Sequence, residues 1–274
     1  LGSSILGPPD GAAAQNVVCT SPTYPAPVIR PAEPKSALGN IPDGVILQAS
    51  GLNGCTATRN TDSERNGGPG QDAGETIQET YPARRTPFQY KAPVASLSKG
   101  GRGGEGESQN AVSGNATGGR GGQAGAGADA TLTFGGAIRP TSLPFALRVV
   151  SSGGDGGDSG TSQTCGQGKA FSDYGGDAGS AGQAYLDGRF GIGVLLGTSP
   201  VSPLIDVAAD GGKGGDGGRI GAGIGDGGGG GFGGDGGLAD VTHGGGITTT
   251  GNFMHGIIAQ SVGGGDRYLQ SRHR

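Results

Sequence analysis

Apolar and polar residues alternate along this chain in short bursts. In "ADATLTF", Ala130, Leu132 and Phe134 take every second position, and Ala239 and Val241 do the same further on. A second kind of segment is a short apolar run that leads into glycine. In "GIIAQSVGGG", Ile257, Ile258 and Val262 run into Gly263. Alternation at period two marks strands with one buried face. No 3.6-residue pattern is sustained, and glycine with Thr248-Thr249-Thr250 opposes helix. The pattern predicts strands of four to eight residues and no helix.

The same two segments recur. Glycine bursts that follow an apolar run begin at residues 51, 100, 153, 211 and 263, at spacings of 49, 53, 58 and 52. The alternating segments begin at Ala130, Ala184 and Ala239, at spacings of 54 and 55. Two anchors with one period define degenerate units of about 50 to 55 residues, each with two or three strands. The first two copies are poor. A unit this thin cannot bury its own apolar face, but stacking on its neighbours buries it. The expected fold is all-β: a β-solenoid, parallel β-helix-like, with glycine-rich loops and no globular α/β core.

Composition sharpens the picture. Glycine fills 66 of 274 positions, tryptophan is absent and methionine occurs once. Each glycine loses more backbone freedom on folding than any other residue, so the tracts are either mobile or held by dense backbone hydrogen bonding. Read as excursions between stacked units, their Gly, Asp and Asn suit tight turns with positive φ. The other reading lays the tracts extended against one another, bonded through bare backbone. That packing calls for tracts of equal length, and the tracts read as unequal, which argues against it. Collagen is excluded by the lack of a strict Gly-X-Y period.

Residues 1–100 are richer in proline, as in "SPTYPAPVIRPAEP" and "YPARRTPFQYKAP". Proline there predicts an irregular N-terminal region with degenerate repeats, ahead of glycine-rich repeats over 101–274. The net charge of −4 does not suggest nucleic-acid binding, which needs a basic patch. The basic clusters at 83–87 and 267–274 are short and read as solvated surface. No CxxC pair occurs among Cys19, Cys55 and Cys165, so a zinc site is not expected. A Cys19–Cys55 bridge and inert thiols remain alternative readings. The start lacks a secretory signal, and no run of about 18 apolar residues marks a membrane helix.

Residues 244–266, "GGGITTTGNFMHGIIAQSVGGGD", resemble a repeat of the passenger regions of bacterial autotransporters, the type V secreted surface proteins. There a Gly-Asp tract, a Thr-rich strand ending in glycine and an "hGIxAQSxGGGG" phrase recur. Residues 247–251 and 255–263 match that phrase closely, and the period extends the likeness over about 170 residues. The resemblance implies a right-handed β-helix-like passenger displayed on a Gram-negative outer membrane, often an adhesin. Its partners would be host-cell, glycan or abiotic surfaces. The translocator barrel typical of the family is not in the sequence. The chain is therefore expected to be a passenger fragment with no membrane insertion of its own.

Candidate chemistry is sparse. The tracts at 153–161, 211–219 and 230–238 approach the calcium-binding nonapeptide through Asp158, Asp216 and Asp235, but its large apolar position is missing or displaced. "GGRGG" and "GGKGGDGG" lack the ending of a phosphate loop. Asp158-Ser159-Gly160 echoes a serine-protease phrase, yet His243, His255 and His273 sit in no matching context. No catalytic, cofactor-binding or metal residue is assigned and no enzyme is expected. The leading function is an adhesin or structural stalk. The alternative is a structural glycine-rich fibre or matrix protein with packed polyglycine segments, and a β-helix-type enzyme comes third.

Overall fold

The computed structural model describes residues 46–57, 66–80, 89–90, 94–112, 114–135, 137–138, 145–165, 168–188, 195–197, 203–221, 224–244, 246–249, 255–265 and 272–273. No helix occurs among them. The strands are β1 (Ile46–Ser50), β2 (Thr76–Thr80), β3 (Gln89–Tyr90), β4 (Val94–Lys99), β5 (Gln109–Ala111), β6 (Ala116–Thr117), β7 (Ala130–Phe134), β8 (Ala137–Ile138), β9 (Leu147–Ser152), β10 (Ser162–Thr164), β11 (Lys169–Phe171), β12 (Ala184–Gly188), β13 (Leu195–Gly197), β14 (Ile205–Asp210), β15 (Ile224–Asp226), β16 (Ala239–His243), β17 (Ile247–Thr249), β18 (Ile257–Val262) and β19 (Arg272–His273).

Two parallel sheets hold the apolar core. Sheet A has the order β1-β4-β9-β14-β18, and sheet B the order β16-β12-β7-β2. Strands pair with the equivalent strand one repeat away. Ala130, Ala184 and Ala239 stand opposite one another, as do Leu147, Ile205 and Ile257. The alternation read from the sequence is the burial pattern seen: every second residue of β7 and β9 is buried. Val94, Leu147, Val149, Ile205 and Val207 of sheet A meet Ala130, Leu132, Phe134, Ala184 and Leu186 of sheet B, all fully buried. Each such large side chain stabilises the fold by about 1.5–3 kcal/mol. β1, β2 and β4 join these sheets in register, within the proline-rich first hundred residues.

The glycine tracts connect this core to a second strand region. After each sheet A strand an outbound tract (51–57, 100–108, 153–161, 211–219, 263–265) leads away. In the complete repeats a return tract (66–75, 118–129, 172–183, 227–238) leads back to sheet B. At the far end lie β5 paired with β10, and the sheet β19-β15-β11-β6. Among the described strands only the β15–β19 pair is antiparallel.

The tracts are not excursions. Gly103 and Gly106 donate to the carbonyls of Asp155 and Asp158 in the next outbound tract, and Gly100 to that of Ser152 at the end of β9. Gly101 and Gly104 donate instead to Gln71 and Gly68 of a return tract that runs the other way. Gly122 and Gly125 of the following return tract donate to Gly104 and Gly101. Residues three apart therefore reach the same neighbour, which is the repeat of a polyproline-II helix. The result is two layers of extended polyglycine, outbound and return, cross-bonded mainly through backbone.

Glycine is required there because of close approach, not turning. A Cβ on Gly157 would overlap the carbonyl of Gly104, and one on Gly176 that of Gly122. Among the described glycines only Gly114 has positive φ, 85°. The equal-length argument against this packing fails for a simple reason. The tracts at 100–108, 153–161 and 211–219 are alike, and the uneven spacing arises elsewhere in the repeat. Exposure follows the triplet: Arg102, Asp155 and Lys213 are exposed, while the two glycines after each are buried.

The third residue of a triplet has its own device. Where an Asn or Asp stands one repeat earlier, its side-chain oxygen accepts from that residue's N–H. Asn53 caps Arg102 (3.0 Å), Asp155 caps Lys213 (2.9 Å) and Asp158 caps Asp216 (2.8 Å). On the return layer Asn66 caps Arg120 (2.8 Å), Asp72 caps Ala126 (2.7 Å), Asp129 caps Gln183 (2.7 Å) and Asp177 caps Phe232 (3.0 Å). The acid of the Gly-Gly-Asp phrase is thus a hydrogen-bond acceptor for the neighbouring repeat.

Candidate functional site

The side chains free to meet a partner stand on the outer faces of the two glycine layers. A threefold extended chain turns every third residue the same way. Aligned repeats therefore set these residues in rows. The outbound face carries Asn53, Arg102, Asp155 and Lys213 in one row, and Glu105, Asp158 and Asp216 in the next. Arg102 lies 3.7 Å from Glu105 and 3.4 Å from Asp158. These pairs are about half exposed, so they contribute little to stability.

The return face differs. One row runs Asn66, Arg120, Tyr174, Gly229, and the next runs Pro69, Gln123, Asp177, Phe232, as the carbonyl acceptors of successive repeats show. Tyr174 and Phe232 are each 60% exposed. Gly229 is the bare position of its row. A Cβ placed on it would lie 3.0 Å from Cδ1 and Cε1 of Tyr174, so the ring lies over that glycine. Leu238, also exposed, lies two triplets beyond Phe232.

A polar group sits on the outward side of sheet A. Arg148 Nε lies 3.0 Å from Asp206 Oδ2, as an ion pair not aligned as a hydrogen bond, and its guanidinium stacks on Phe145 at 5.4 Å. Asp210 Oδ1 is buried without a hydrogen-bond partner. Burial raises the Asp210 carboxyl above the ordinary carboxylate value, Asp206 adds to the rise and Arg148 opposes it.

The residues singled out by sequence are scattered. Asp158 and Asp216 are neighbours in one outbound row, where Asp158 Oδ1 caps Asp216 N–H and Oδ2 faces Arg102. Asp235 lies on the other layer, its N–H donated to Ser180 Oγ at 3.3 Å. No group of three or more metal-ligating side chains occurs among the described residues. Ser159 Oγ donates to the Asp173 carbonyl at 2.7 Å, tying outbound to return tract. His255 is exposed, His243 ends β16 half-buried and His273 lies in β19. They form no cluster with Ser159.

In "GGRGG" every N–H from Gly100 to Gly104 already has a protein acceptor, which leaves none to cradle a phosphate. Cys55 is disulfide-bonded and Cys165 is an exposed free thiol, while Cys19 lies outside the described residues. The basic cluster at 83–87 also lies outside them. Sequence reasoning missed the aromatic pair on the return face. The available signal was an aromatic at the third position of a glycine triplet, as in "GGFGG".

No protein-family model matches the chain, and no curated protein or solved structure matches it either.

Proposed function

We propose that the chain is a non-catalytic display module of a bacterial surface protein, an autotransporter-type passenger segment built as a flattened β-solenoid. One observation carries the reading: glycine-tract hydrogen bonds pass from repeat to repeat through the whole stack. Such a body is rigid in the stacking direction and presents side chains at fixed spacing on two broad faces. The polar residues within the tracts serve mainly to cap the neighbouring repeat. The repeat grammar of residues 244–266 supports the passenger assignment. The module acts by extension and by surface contact with host-cell, glycan or abiotic material.

The second reading, a structural glycine-rich fibre or matrix protein, is favoured by the packed polyglycine layers themselves. Cys165 gives a test of display. It is the exposed free thiol of the far-end strand region. On intact producing cells, a membrane-impermeant maleimide should label Cys165 of a displayed passenger. Labelling only after cell lysis overturns display.

A further inference from the structure

We propose that the return face around Tyr174 and Phe232 is a binding platform for an extended β-linked polysaccharide. The inference deepens the display reading by naming the class of partner. Four observations converge on it.

The first is the posture of Tyr174. Its ring lies across Gly229, at the one position of the row where no side chain stands. A ring lying on bare backbone turns its outer face to solvent, and 60% of the residue is exposed. Sugar rings bind proteins by laying their C–H faces on such aromatic faces.

The second is spacing. Phe232 stands one triplet along and one repeat over from Tyr174. With a rise of about 3.1 Å per residue and neighbouring chains about 4.8 Å apart, the two residues are separated by roughly 10 Å. That is close to the repeat of a disaccharide unit in an extended β-linked chain, where every second sugar turns the same face to the protein.

The third is the polar surround. Arg120 shares the row of Tyr174, and Gln123 and Asp177 share the row of Phe232. A guanidinium, an amide and a carboxylate offer donors and acceptors to sugar hydroxyls beside both rings.

The fourth is rigidity. Phe232 N–H is held by Asp177 and its carbonyl accepts from Ala178, so the backbone beneath both rings is fixed before a ligand arrives. A preorganised platform loses little entropy on binding. A protein partner fits less well. Glycine backbone separates the apolar side chains, which supply no continuous apolar centre of the kind protein interfaces bury.

The test titrates the purified chain with cellohexaose and N-acetylchitohexaose, using the coiled α-linked maltohexaose as control, followed by calorimetry and saturation-transfer NMR. At least one β-linked hexasaccharide should bind more tightly than maltohexaose. Tyr174→Ala and Phe232→Ala should each weaken it about tenfold, and Tyr174→Phe should retain it. Both residues are exposed, so the variants should keep the parent's circular dichroism and Tm. No binding of either β-linked sugar, equal binding of maltohexaose, or binding that survives the double alanine variant would each overturn the platform. None of these outcomes bears on where the chain resides. Conversely, absent Cys165 labelling on intact cells would remove display while leaving sugar binding intact.

Discussion

At the scale of single residues, glycine acts here through the atom it lacks. Gly157 sits between two tracts, and a methyl group there would meet the Gly104 carbonyl. Neither partner can yield, because both are backbone already held by hydrogen bonds. Gly157→Ala should therefore destabilise by about 3 kcal/mol or more. Gly246 has no atom within 4 Å of an added Cβ and no positive φ. Gly246→Ala should shift stability by less than about 1 kcal/mol. Urea titration of both variants checks the contrast, and equal effects would contradict the packed layers. Asp210 makes a different single-residue case. A carboxyl that binds its proton more tightly in the folded chain favours folding while protonated. Stability then falls as pH rises from the ordinary carboxylate range through the raised folded value. Asp210→Asn removes that loss. The variant should melt above the parent at neutral pH, with the advantage vanishing in acid. A Tm-against-pH series that shows no convergence in acid would assign the effect to something other than the Asp210 proton.

At the scale of elements, the junction between sheet and glycine layer depends on serine. Ser151 is buried at the end of β9, where its Oγ donates to the Ala128 carbonyl and accepts from Gly182 N–H, both at 2.8 Å. Ser98, its register partner, bridges Gly74 carbonyl and Ala128 N–H in the same way, at 3.1 and 3.0 Å. Each hydroxyl thus extends the polyglycine hydrogen bonding one step into the sheet. Ser151→Ala strands a half-buried donor, Gly182 N–H, and a half-buried acceptor, the Ala128 carbonyl, and should cost about 2 kcal/mol. Ser261→Ala, in the same row but exposed on β18, should cost little, and thermal melts of the two variants make the comparison. Such junctions also mark how far sequence could reach. The core strands were legible because alternation is a local signal, and Ala130, Ala184 and Ala239 fell into register as their spacing implied. The glycine layers were not, because the reason for each glycine is a carbonyl tens of residues away. The Gly-Gly-Asp phrase was plain in sequence, but Asp155 matters for an N–H 58 residues further on. The far-end strands β5, β6, β10, β11 and β15 have two or three residues, too short for periodicity to show. The candidate site was least visible, since Tyr174 gains its posture only from Gly229 in the next repeat.

At the scale of the whole molecule, stability is a sum over interfaces between repeats, so position in the stack sets the weight of a residue. Leu147, Ile205 and Ile257 occupy one inward row of sheet A. The first two are fully buried between neighbours, whereas Ile257, on the last strand of the sheet, is 42% exposed. The same contrast separates Val149 and Val207, buried, from Ala259, exposed. The β1 edge behaves otherwise: Leu47 and Ala49 are 2% and 6% exposed, so the two ends of the stack are unequal. Identical chemistry should then carry different energies. Ile205→Ser places a hydroxyl in the core and removes a large side chain there, which should cost about 3 kcal/mol or more. Ile257→Ser removes a side chain that water already reaches and should cost about 1 kcal/mol or less. Amide exchange should follow the same gradient. β9 and β14, paired on both sides, should exchange only through global opening, and β18 should exchange early by local fraying. Equal protection across β9, β14 and β18, with equal losses for Ile205→Ser and Ile257→Ser, would mean that the last strand is covered in solution and that the stack does not end where sheet A does.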